Sequence, residues 1–160
     1  TLFRSHCASS RDMLEKAVKG AGGRTQVLGV TLLTDNDAET VAASGFKPEF
    51  AQNPDLLVLH RARMAHEAGC AGVVCSGREV RAVKNLFGPD FLAITPGIRP
   101  SWSLAPNDDQ KRVTTPGDAV LRGSDLLVVG RPIRDAADPA EAARRVVQEI
   151  REALADRMNS

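Results

Sequence analysis

Apolar residues along the chain follow two rhythms. Mostly apolar runs at 27–33, 71–76, 91–94 and 125–129 predict strands, and the first of them is apolar on both faces, as in a buried parallel sheet. Between them, apolar positions recur at helical spacing. A helix over 11–18 follows Ser9 or Ser10, either of which can cap it, and stops at Gly20-Ala21-Gly22-Gly23. Asp35-Asn36-Asp37 offers caps for a short helix reaching Gly45. Residues 54–69 predict a helix with a mixed face of Leu56, Leu57, Leu59, Ala62, Arg63 and Ala65, and 79–87 a helix closed by Gly88. Thr115-Pro116 opens another, with proline at the first helical position, that ends by Gly123. Asp138-Pro139 opens the last, where Ala143, Val146, Val147, Ile150 and Leu154 keep helical period. Residues 1–7 are weakly patterned, and Arg4-Ser5-His6 fits a strand poorly.

Alternation of strand and helix means βα units on a parallel sheet, either doubly wound or part of an eight-stranded barrel. Polar punctuation at strand carboxyl ends (Thr34, Ser76, Thr95-Pro96, Gly130-Arg131) favours the barrel, as does an anion-like feature at the final strand. Four or five strands cannot close a barrel, which typically needs about 200 residues or more. The expected fold is therefore a partial (β/α)8 barrel of parallel strands with flanking helices, in one domain spanning 1–160.

Two stretches carry the candidate chemistry. Thr95-Pro96-Gly97-Ile98-Arg99-Pro100 stops the strand at 91–94, because proline fixes φ and donates no backbone hydrogen bond. The polar, aperiodic residues after it are expected to form a lid or binding loop over 99–113. Gly130-Arg131-Pro132 ends the last strand. Its glycine admits close approach to backbone N–H groups, its arginine fork matches an oxyanion, and a helix start adds partial positive charge. An anion site is expected there.

Composition narrows the field. The chain has 160 residues, 42% hydrophobic, net charge +1, and only 4% aromatic with no tyrosine. Neither a basic face nor stacking aromatics stand out, so no nucleic-acid partner is expected. No apolar run approaches the ~20 residues of a membrane span, so no membrane partner is expected. Three cysteines without a C-x-x-C suggest reduced thiols and a cytoplasmic setting. The chain starts at Thr1 and its first methionine is Met13, which suggests a processed product or a piece of something longer.

In order, Val30-Thr31-Leu32-Leu33-Thr34, Gly72-Val73-Val74-Cys75-Ser76, Thr95-Pro96-Gly97-Ile98-Arg99-Pro100, Asp109-Gln110-Lys111-Arg112, Thr115-Pro116 and Gly130-Arg131-Pro132-Ile133 resemble the carboxyl-terminal half of orotidine 5′-phosphate decarboxylases, from about Gly29 onward and more loosely from His6. The resemblance implies a (β/α)8 barrel, usually a homodimer, that converts orotidine 5′-monophosphate to UMP and CO2 without metal or organic cofactor. It implies that Arg131 and the N–H groups of Gly130 and Arg131 hold the phosphate. Gln110 would bridge phosphate and pyrimidine, Pro96 would line the pyrimidine pocket, and Arg99 and Thr34 would complete the ligand contacts. The family's catalytic Asp-x-Lys-x-x-Asp run occurs nowhere in the chain, and no catalytic residue is assigned. The first three strands are expected to be absent and the fourth damaged, leaving a chain that binds poorly and catalyses nothing. Alternatives are a related sugar-phosphate barrel, of the hexulose-phosphate synthase or keto-gulonate-phosphate decarboxylase type, and a non-catalytic phosphate-binding or assembly module.

Plainer readings stand beside these. Arg131 alone would be a surface residue, and Arg99 could stiffen its loop against Asp108 or Asp109. Thr34 could cap the following helix. Cys70 and Cys75 read as small buried residues, and His60 and His66 as a solvated helix face. Lys111-Arg112 and Arg144-Arg145 read as surface charge runs.

Overall fold

The computed structural model describes residues 1–8, 10–103 and 112–159. Five parallel strands, β1 (Leu2–His6), β2 (Gln26–Val30), β3 (Gly72–Val74), β4 (Leu92–Thr95) and β5 (Leu126–Leu127), lie side by side in chain order. A doubly wound sheet reverses its order at a switch point, and this one does not. The order is that of an arc of barrel, with five strands.

Helices α1 (Arg11–Ala21), α4 (Pro54–Glu67) and α5 (Val80–Phe87) pack on one face of the sheet. There Val27, Val73 and Ala93 meet Leu14, Leu57, Val58, Ala62, Ala65, Val80 and Val83, all buried. The alternate residues, Leu28, Val30, Val74 and Ile94, form a second and smaller cluster on the opposite face. This is the period-two division of each strand between barrel interior and helix layer. The approach of α4 to β2 depends on Gly29, where a Cβ would lie 2.5 Å from Cys7 Sγ and 2.7 Å from Ala65 Cβ.

Most caps fall where the chain pattern puts them. Ser10 accepts from Met13 N–H, Asp37 from Thr40 N–H at the start of α2 (Ala38–Ala43), and Thr115 from Asp118 N–H at the start of α6 (Pro116–Leu121). Asp138 caps α8 (Pro139–Met158). A single helical turn, α7 (Arg131–Arg134), follows Gly130, and α3 (Pro48–Gln52) forms where no helix is expected.

Three expectations need correction. Residues 2–6 are a full strand, paired with β2 from Leu2↔Gln26 to His6↔Val30, because the ladder is a backbone property and an edge strand tolerates exposed side chains. On α4 the buried face includes Val58, while Leu56 and Arg63 are exposed. On α8 it is Ala142, Val146 and Ala153, with Val147 and Leu154 exposed, because α8 packs along α6: Gly117 N–H donates to Glu149 at 3.2 Å and Arg157 to Val120 O.

Candidate functional site

The expected site residues other than Gln110 sit at the carboxyl ends of β2, β4 and β5. Thr34 follows β2 and is buried, and its methyl faces Gly97, where a Cβ would come within 3.1 Å. Gly97 also has φ +73°, so glycine is needed there both for backbone conformation and for space. Asp37, not Thr34, caps the helix that follows, which removes the plainer role offered for Thr34. Pro96 is half-buried at the start of the same turn.

Past Gly97 the chain pairs with its own return. Arg99 N–H donates to Thr114 O at 3.0 Å, and Ile98 and Thr114 form a parallel bridge. Arg99 is buried, with Nη1 donating to the Ile98 carbonyl at 3.0 Å. Gly130 caps α7 from an exposed position, with open space where a Cβ would stand, and Arg131 opens that turn half-buried.

Arg99 and Arg131 line one cleft of about 510 Å³ together with Trp102, Ser103, Pro132 and Arg145. That volume suits a small-molecule ligand. Trp102 lies beneath the Arg145 guanidinium, 4.2 Å from ring centroid to carbon, which fastens the 3-10 turn Ser101–Ser103 to α8. The cleft's acidic residues are engaged: Asp135 with Arg134, Glu141 with Arg144, and Asp138 in capping α8. Three arginines share this concavity with Asp135, Asp138 and Glu141, and Asp135 feels the charge of Arg131 as well as that of Arg134. Thr34, Pro96 and Gly130 do not line this cleft; Thr34 connects to it through the Gly97 turn. Gln110, Asp108 and Asp109 lie outside the described residues, as does most of the expected lid over 99–113.

Sequence reasoning missed two features. Trp102 and Arg145 sit in runs that carry no motif. Arg112, read as part of a surface charge run, is buried and donates from Nη1 to Glu79 Oε1 at 3.0 Å and from Nη2 to Leu32 O at 2.9 Å. Burial pushes the Glu79 carboxyl up to about 7; the Asp55 charge adds to this and Arg112 opposes it. The only signal was Glu79's place immediately before α5, and a polar loop gives no hint of a buried arginine.

The three thiols are free and buried, and burial raises that of Cys7 to about 11, far from a thiolate nucleophile. Among the described residues no group of three or more His, Cys, Asp or Glu is placed to hold a metal ion. No helix among them is long and apolar enough to cross a membrane.

Comparison with known proteins fits this geometry. The model of the orotidine 5′-phosphate decarboxylase / HUMPS family matches residues 1–146, so the likeness begins at the first strand, ahead of the looser start expected at His6. Orotidine 5′-phosphate decarboxylase of Desulfosudis oleivorans is 51% identical over 149 residues, covering 93% of this chain and 60% of the relative. The enzyme of that name from Geobacter sulfurreducens is 41% identical over 155 residues, covering 93% and 62%. The chain thus spans about 60% of the length of the curated relatives it matches. Among solved structures, orotidine 5′-phosphate decarboxylase from Lactobacillus acidophilus superposes with TM-score 0.72 at 32% identity, covering 94% of this chain and 63% of that one. That of Sulfolobus solfataricus, at 19% identity and TM-score 0.62 over 96% and 62%, shares the fold. A singly wound parallel arc, a glycine-arginine turn after its last strand and these matches together make the chain a member of the orotidine 5′-phosphate decarboxylase / HUMPS family.

Proposed function

We propose that this chain is the nucleotide- and phosphate-holding portion of an orotidine 5′-phosphate decarboxylase, which converts orotidine 5′-monophosphate to UMP and CO2 in pyrimidine biosynthesis. The observation that carries the reading is the meeting of Arg99 and Arg131 in one cleft at the carboxyl ends of β4 and β5. In the proposed complex Arg131 and the N–H groups of Gly130 and Arg131 hold the phosphate, and Arg99 and Thr34 take neighbouring polar groups. Pro96 lines the pyrimidine side, and Gln110 on the 99–113 lid bridges phosphate and base. Phosphate contacts of this kind supply binding energy remote from the reacting carbon, which offsets distortion there, and a closing lid excludes water.

The Asp-x-Lys-x-x-Asp run does not occur in the 160 residues, so the chain by itself is expected to form no UMP. A cytoplasmic setting and homodimeric assembly, with no metal or organic cofactor, belong to the same proposal. The test is calorimetry with UMP, 6-aza-UMP, inorganic phosphate and a pentulose phosphate. Preference for the nucleotides over phosphate supports the reading; preference for the pentulose phosphate contradicts it in favour of a sugar-phosphate barrel. Equal affinity for nucleotide and phosphate contradicts it in favour of a phosphate-binding module.

A further inference from the structure

The returning end of the loop after β4 is tied down by two buried charges that ligand binding alone does not explain. The Arg112 and Glu79 side chains are only 6% and 1% exposed. Besides Glu79, the Arg112 guanidinium holds the carbonyls of Leu32 at 2.9 Å and Leu33 at 3.2 Å, and the Arg112 N–H donates to Thr34 O at 3.2 Å. Two residues on, Thr114 accepts from Arg99 N–H at 3.0 Å and donates to Gly97 O at 3.4 Å. The strap 112–114 therefore grips the end of β2, the start of α5 and the turn after β4 at once. Thr34 and Arg99 stand on two of those three pieces.

From this geometry we propose that Glu79 and Arg112 are positioning residues for the nucleotide site, setting the separation of Thr34 and Arg99 and the direction in which the loop leaves the barrel. The proposal deepens the nucleotide reading and rests on it. Stability alone is a poor reason for such a pair, since burying two charges costs desolvation that attraction repays only when every polar atom is satisfied. Among the described residues, Arg112 Nε and Thr114 Oγ1 are buried without a hydrogen-bond partner, so the repayment is incomplete. An apolar pair could fill the space, but it could not hold two successive carbonyls in fixed directions. A lysine could not either, because its ammonium is a point charge without the planar fork.

Amide hydrogen exchange on the 160-residue chain tests the clamp without any ligand. Glu79→Gln and Arg112→Lys are compared with Lys84→Met, which breaks a similar clamp at the opposite end of the sheet, where Lys84 bonds Asp125, Pro89 O and Phe91 O. Glu79→Gln and Arg112→Lys are expected to speed exchange at least about fivefold over 31–34, 97–99 and 112–114 together, leaving 72–74 and 92–94 unchanged, while Lys84→Met leaves all three segments slow. Loosening confined to 112–114, or spread evenly through the sheet, overturns the proposal. The two substitutions are independent, so a failure of one to fold leaves the other to decide. A second readout separates positioning from bulk stability. Glu79→Gln should weaken UMP about tenfold while sparing inorganic phosphate, which Arg131 holds without the strap. Equal loss of both ligands overturns the proposal. Coupled loosening in the variants of a wild-type chain that binds no UMP supports the clamp and contradicts the nucleotide reading.

Discussion

Glu79 shows how burial gives a single carboxyl a measurable signature. Its folded-state value of about 7 lies above the ordinary carboxylate range, with burial the main cause, Asp55 adding to it and Arg112 opposing it; the Cys75 thiol, also close, is itself pushed far up by burial. The folded chain therefore holds this proton more tightly than the unfolded chain between roughly pH 4.5 and 7. Its contribution to stability is complete below that window and is lost as pH rises through about 7. Thermal melts across pH 4.5 to 8 should show wild type losing on the order of 3 kcal/mol relative to Glu79→Gln over the window, with the variant's profile flatter. A parallel pair of profiles would contradict it. Arg131 makes the complementary case on the ligand side. In the proposed complex Arg131→Ala removes charge-assisted hydrogen bonds worth roughly 1.5–3 kcal/mol, so calorimetry should find UMP affinity lower by about 10- to 100-fold. None of this pairing was legible beforehand for Arg112, because a buried arginine and a solvated one look alike in a polar loop. Thr34, Pro96, Arg99, Gly130 and Arg131 stood out because prolines and glycines punctuate strand ends, and that punctuation falls at the carboxyl ends of the strands, where the proposed site lies.

Among the elements, the strands at 27, 72 and 91 were readable because most of their residues are buried on both faces and are therefore mostly apolar. β1 was not, since Leu2 and Phe3 are exposed and its ladder to β2 owes nothing to side-chain pattern. The short β5 was overestimated because Val128 and Val129 extend the apolar run beyond the ladder, which ends with Val128 N–H donating to Thr95 O. The β2–α4 contact gives a sharp prediction. Gly29→Ala forces a methyl into space already held by Cys7 and Ala65, and overpacking of this kind typically costs about 1–3 kcal/mol. Denaturant titration should record that loss with an unchanged slope. A neutral substitution would mean that α4 rides further from the sheet than described.

The molecule as a whole is an open arc. Among the described residues β1 and β5 each pair on one side only, and Leu2 and Phe3 on β1, Leu126 on β5 and Val128 just past it are exposed. Unpaired strands with apolar side chains are templates for pairing with another chain. The 160-residue polypeptide should therefore associate in solution, and Phe3→Lys should shift it toward monomer; light scattering of wild type as a clean dilute monomer would contradict this. The same arc sets Arg99 and Arg131 on neighbouring strand ends, and the account of function depends on that proximity. A crystal structure of the chain soaked with UMP tests it most directly. The account predicts the phosphate against Arg131 and the Gly130 N–H, with the Gln110 amide closing over it from the same side and Arg99 and Thr34 within reach of the nucleotide. UMP bound elsewhere, or Gln110 on the far side of the molecule from Arg131, would contradict it.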